Sequence, residues 1–225
     1  MTRTIRTKTL LACGAIAGPL FVFAFLIEGA TRVDYDSLRQ PVSSLALGDQ
    51  GWTQSANFLV TGLLMLTFTI GLRRALRPLG GPTWGPLLVG AYALGLLAAG
   101  VFAADPMNGY PPGTPDERLH YSMHGVLHDL FSALVFLGLP AACFVFGRWF
   151  ATREKRGWAS YLIVTGVVFL GAFILSSAGF AQAEGLVNLA GLLQRLAVTV
   201  GFGWLTLLAV HLLRASTEVP RKVPI

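Results

Sequence analysis

The chain has 225 residues, 54% hydrophobic and only 12% charged, and its 17 Lys and Arg exceed its 11 Asp and Glu for a net charge of +6. Soluble domains carry about 25% charged residues, so this composition excludes an ordinary soluble domain and makes lipid the solvent. The basic residues sit in short clusters between apolar runs, which marks membrane topology and not a nucleic-acid-binding face.

Residues 1–9 are polar and include Arg3, Arg6 and Lys8. The apolar run that follows outlasts the ~7–15-residue core of a secretory signal and ends in Glu28-Gly29-Ala30, a poor cleavage site, so it predicts a retained transmembrane helix over residues 10–28. Gly14 and Gly18 within it have the small-xxx-small spacing that lets helices approach closely. Residues 29–52 read as an outer loop. In it, Val42, Leu45, Ala46 and Leu47 predict a short amphipathic helix at the membrane surface, ended by Gly48.

Further helices are predicted over residues 53–72, 84–104, 115–149, 158–178 and 194–213. Each membrane part is about 20 residues, enough to cross ~30 Å of hydrocarbon. The fourth helix includes an extension outside the bilayer. Thr114 is placed to cap it, Pro115 suits the first helical position, and Glu117 completes a capping box. His120, His124 and His128 then recur every four residues and share one face. Pro140 removes the amide that would bond Phe136 and is expected to bend this helix. Residues 179–193 are mildly apolar and, with the first outer loop, are expected to roof the bundle. Trp52, Trp84, Trp149 and Trp158 read as an aromatic belt, and His211 as an interfacial residue. Cys13 and Cys143 lie inside apolar segments and form no disulfide framework.

These elements predict an all-α polytopic protein, one transmembrane domain over residues 1–225, with six helices in three hairpins closed by outer loops. The N-terminus, the two inner links and the C-terminal tail hold 13 of the 17 basic residues, against Arg32, Arg39, Arg118 and Arg195 on the other side. The acids invert this split, 9 of 11 lying on the outer side. The positive-inside rule then puts both termini in the cytoplasm, as expected of a multi-pass plasma-membrane protein. The excess of Arg over Lys, with abundant Gly, Ala and Leu, suggests a GC-rich bacterial genome.

Counting about 20 residues from each basic end places polar groups at one depth. Glu28 closes helix 1, Gln54 and Asn57 open helix 2, and Asp105 closes helix 3. His128 and Asp129 open the membrane part of helix 4, Ser176 and Ser177 close helix 5, and Gln194 and Arg195 open helix 6. One reading is a hydrated boundary, where polar residues meet water. The other is a polar collar around an outward-facing pocket, with Asp105, His128 and Arg195 converging and Arg195 paired to Asp105 or Glu28.

The motifs Gln40-Pro41-Val42-Ser43-Ser44-Leu45-Ala46-Leu47-Gly48 with Gly51-Trp52, Gly100-Val101-Phe102-Ala103-Ala104-Asp105-Pro106, Gly125-Val126-Leu127-His128-Asp129 and Gln194-Arg195 occur in this order. In order and spacing the chain resembles the domain-of-unknown-function 998 family of bacterial and archaeal membrane proteins. The resemblance covers most of the chain. It implies a six-helix integral membrane protein and supplies no reaction.

Three functional readings follow. In the first, the collar and roof bind a small amphiphile, lipid headgroup or ion through Glu28, Ser43, Ser44, Asp105, His128, Asp129, Gln194 and Arg195, without a cofactor or nucleic acid. In the second, the chain is a metal-dependent membrane hydrolase. His124 and His128 have zinc-ligand spacing, with Asp105, Asp129 or His120 as a further ligand, and Ser43 or Ser44 near the bound water. This loosely resembles ceramidase-type hydrolases in residue types only. In the third, the chain is structural or accessory and binds no ligand. No nucleophile elbow, phosphate loop or dinucleotide fingerprint is present.

Overall fold

A computed structural model describes residues 2–118 and 120–215, with side chains from Arg6 onward. Arg221 and Lys222, which enter the charge argument, lie outside the described residues, as does the end of the expected domain.

The long apolar runs form six helices: α1 (Thr2–Thr31), α2 (Gly51–Leu76), α3 (Trp84–Val101), α4 (Met123–Ala151), α5 (Arg156–Phe180) and α6 (Ala190–Ala215). All six are long and apolar enough to cross a membrane, and the protein is an all-helical integral membrane protein. Their outward faces carry large apolar side chains such as Phe23 (64% exposed), Leu130 (64%) and Ile174 (62%), which only lipid accommodates in such number. The α2–α3 and α4–α5 links are short because local chemistry stops each helix quickly. After α2, Pro78 follows Arg77 in a 3-10 turn, and Gly80 takes the left-handed conformation that glycine tolerates (φ 61°). Between α4 and α5, Glu154 reverses the chain at φ 59°.

Each helix packs on its neighbours in sequence, and α6 returns to α1, so the six form a closed ring. Phe21, Phe58, Tyr92 and Phe202, from four different helices, meet inside it, with Phe21–Phe58, Phe21–Phe202 and Tyr92–Phe202 ring centroids 5.3, 5.0 and 5.5 Å apart. In lipid such contacts hold helices together by packing, since apolar side chains gain little by leaving lipid tails for each other. Gly14 and Gly18 serve that packing. A Cβ on Gly14 would strike the Phe68 ring of α2, and one on Gly18 would strike Thr206 and Phe202 of α6.

The structure corrects several expected boundaries. α4 starts at Met123, not near Thr114. The Thr114–Glu117 capping signal loses because the backbone there is used otherwise. The carbonyls of Pro115 and Asp116 accept the amides of Gly109 (3.4 Å) and Asn108 (3.0 Å), and the Thr114 amide turns back to Pro111 at 3.0 Å. His120 therefore stands in the loop, not on the helix face of His124 and His128. α3 ends at Val101, and Phe102 is already extended (φ −102°, ψ 107°). α6 begins at Ala190, ahead of Gln194. The expected surface helix is a 3-10 helix, Val42–Ala46, whose Val42, Ser44 and Leu45 are buried against the bundle. α4 continues through the buried Pro140.

Candidate functional site

The α1–α2, α3–α4 and α5–α6 loops are knitted into one roof. The first, between α1 and α2, sends the Gln40 side-chain amide to the Asn108 carbonyl of the α3–α4 loop at 3.1 Å. The α5–α6 loop joins through Gln182, whose amide donates to Asn108 Oδ1 (2.7 Å) and to the Asp116 carbonyl (3.2 Å). Arg39 and Asp116 add an ion pair at 2.6 Å. The Tyr110 ring stands edge-on to Tyr35, 5.2 Å between centroids, and closes the apolar part of the roof. At the other side, Arg32 pairs with Glu28 (3.4 Å) and donates to the carbonyls of Leu47 and Gln50, which fixes the end of α1 to the start of α2.

Arg195 holds this roof from below. Its guanidinium donates to the carbonyls of Gln40 (2.9 Å) and Gly191 (3.0 Å) and to the Tyr35 hydroxyl (2.5 Å), and it lies over the rings of Phe25 and Tyr35. Tyr35 in turn donates its hydroxyl hydrogen bond to the Pro41 carbonyl at 2.9 Å. Burial pushes the Tyr35 phenol up to about 12, against the pull of the Arg195 charge. The neighbouring Gln194 accepts the Val42 amide at 2.8 Å. Gly191 has no side chain because the Ser37 and Gln40 carbonyls occupy that space. The expected pairing of Arg195 with Asp105 or Glu28 is therefore corrected. Among the described residues Arg195 faces no carboxylate at ion-pair distance, and Glu28 takes Arg32.

Asp105 caps α4. Its Oδ1 accepts the Ser122 hydroxyl (2.5 Å) and its Oδ2 the Ser122 amide (3.1 Å), while Ser122 Oγ accepts the Gly125 amide at 3.0 Å. Gly125 must lack a Cβ because the Asp105 carboxylate fills that position. A carboxylate is favourable at this positive helix end. One turn on, His128 Nδ1 lies 2.8 Å from the Phe102 carbonyl. A carbonyl only accepts, so Nδ1 carries the proton and Nε2 is the acceptor of the neutral ring.

Beneath the roof lies a cavity of about 360 Å³, lined by residues of all six helices and of the roof. Its inner walls are apolar, from Phe21, Phe58, Tyr92, Val198 and Phe202. Its polar groups gather at the roofed end: Ser43, Arg118, His128, Asp129 and Gln194, with Ser132 and Ser177 nearby. Arg118 and Asp129 form an ion pair across this mouth. On the side facing lipid, the exposed residues Ala133 and Leu137 of α4 and Ser177 of α5 border the cavity.

Of the predicted site residues, Ser43, His128, Asp129 and Gln194 line this cavity, while Glu28, Ser44, Asp105 and Arg195 do not. Ser44 is fully buried and its hydroxyl finds no partner. Asp105, near His128, and Arg195 stay outside the cavity lining. They hold the cavity's two sides, α4 and α6, to the roof. Sequence reasoning missed Arg118, Ser132 and Tyr92 as lining residues. Arg118 was visible as one of four outer bases, but nothing in its neighbours marks it as facing inward. The zinc set does not fit. His124 is exposed and packs edge-on to Phe102, Asp105 is committed to Ser122, and among the described residues no three His, Cys, Asp or Glu side chains gather as a metal site needs.

The family model described as "protein of unknown function (DUF998)" matches residues 15–211. Comparison with curated proteins and with solved structures gives no match.

Proposed function

The chain belongs to the DUF998 family, and from that premise we propose that it binds a small amphiphile, headgroup at the polar mouth and chain in the apolar cavity. The carrying observation is the division of the ~360 Å³ cavity into a polar roofed end and an aromatic interior. This volume is near the low end of small-molecule sites, about 300–1,000 Å³, which favours one chain over a two-chain phospholipid. The mouth offers Arg118 and Asp129 together with hydroxyls and an amide, so it suits a zwitterionic or uncharged polar headgroup. Entry is from the bilayer between α4 and α5, past Ala133, Leu137 and Ser177. The protein sits in a bacterial plasma membrane with both termini cytoplasmic, which turns the roof and mouth outward.

The test is identification by mass spectrometry of amphiphiles that co-purify with the protein. Ala133→Phe, which narrows the lipid-side opening, is expected to lower the retained amount several-fold with unfolding temperature unchanged. Equal retention by wild type and Ala133→Phe would remove the reading.

A further inference from the structure

A second cavity, of about 880 Å³, lies at the opposite end of the bundle, where α1, α2 and α6 meet. Its rim is basic. Lys8 comes from α1, Arg73 and Arg74 from the last turn of α2, and Arg77 from the link that follows. Its floor is apolar, including the buried Leu11 and Leu212. Among the described residues no acidic side chain lines it, and none of the four cations has an ion-pair partner.

The positive-inside rule explains basic residues at this level, and the C-terminal end of α2 favours them. Neither explains why cations from two helices surround a concave space with an apolar floor. A solvated surface cluster would repel itself outward. Here the charges surround a space that a single anion can share. Guanidinium forks match phosphate oxygens two at a time, and basic pockets between transmembrane helices suit acidic lipid headgroups. The floor decides the source, because a free phosphate has no use for Leu11 and Leu212, whereas a lipid chain covers them. We propose that this groove is a binding site for the phosphate-bearing headgroup of an anionic lipid in the leaflet at that end. It is independent of the roofed cavity.

The experiment uses the full chain in neutral detergent at constant ionic strength. Native mass spectrometry counts bound dioleoylphosphatidylglycerol against dioleoylphosphatidylcholine, and thermal unfolding is followed with each lipid. Phosphatidylglycerol is expected to be retained preferentially and to raise the unfolding temperature. Each arginine removed is expected to lower its affinity by about five-fold, so R73Q/R74Q/R77Q loses the preference while keeping its helix content. R148Q/R156Q, which removes charge at the α4–α5 link on the same side, is expected to keep it. The proposal is overturned if the wild type shows no preference between the two lipids, or if both variants lose it alike, which would leave only a diffuse surface potential. Displacement of phosphatidylglycerol by millimolar inorganic phosphate, but not by matched chloride, would assign the groove to free phosphate and overturn the lipid assignment. If R73Q/R74Q/R77Q fails to fold, the single variants R73Q and R77Q give the same comparison.

Discussion

Arg195 is a buried cation held by two carbonyls, a phenol and two aromatic faces. Replacing it leaves the Gln40 carbonyl and the Tyr35 hydroxyl without their charged donor. Arg195→Ala is expected to cost about 2 kcal/mol or more, since hydrogen bonds to charged groups are worth ~1.5–3 kcal/mol. Arg195→Lys restores the charge but not the planar fork, and is expected to recover only part of the loss. Thermal or denaturant unfolding in detergent checks both, and equal stability of Ala and Lys variants would count against the clamp. Tyr35 adds a pH signature. Its phenol ordinarily ionises near 10 and is pushed up to about 12 when folded. A raised folded value means the stability it contributes is complete below about pH 10 and is lost as pH climbs towards 12. The stability difference between wild type and Tyr35→Phe should therefore stay constant below about pH 10 and narrow as pH climbs towards 12.

The element that departs most from expectation is α4. Its true start is written in two neighbouring residues and one distant in sequence: Ser122 caps, Gly125 leaves room, and Asp105, just past the end of α3, holds the cap. A local reading could find Thr114–Glu117 as a capping box. It had no means to know that the amides of Asn108 and Gly109 claim that backbone. The membrane spans were legible because about 20 apolar residues between polar ends leave few alternatives. The polar groups at their outer ends were legible for the same reason. Which of them meet was not, because that depends on how each helix is turned about its axis, and α2, α3, α4 and α5 show almost no amphipathic bias to fix this. Asp105→Ala removes the acceptor of Ser122 and is expected to cost about 1–2 kcal/mol, the size of a lost N-cap. Gly125→Ala should do comparable harm by displacing the carboxylate. Hydrogen exchange of the first turn of α4 would report both, and unchanged protection there would refute the cap.

For the molecule as a whole, the charge split predicts which side each loop faces. Asn108 is buried in the roof, so the exposed Glu117 is the better site for a reporter. With Cys13 and Cys143 replaced, Glu117→Cys is expected to react with a membrane-impermeant thiol reagent added outside intact cells. Labelling only after the inner side is opened would reverse the orientation. The closed order of the six helices carries a different consequence. Every seam of the ring is a sequence-adjacent hairpin except that between α6 and α1, whose ends lie on one side and share the basic groove. The packing does not record which seam lacks a loop. The fold is thus circularly permutable: a short linker from α6 to α1 with a cut in the α2–α3 link, which takes no part in the roof, should return the same ring and the same outer cavity. Such a permutant would move the starting helix of synthesis from α1 to α3, and so separate what the bundle needs in order to stand from what it needs in order to be inserted.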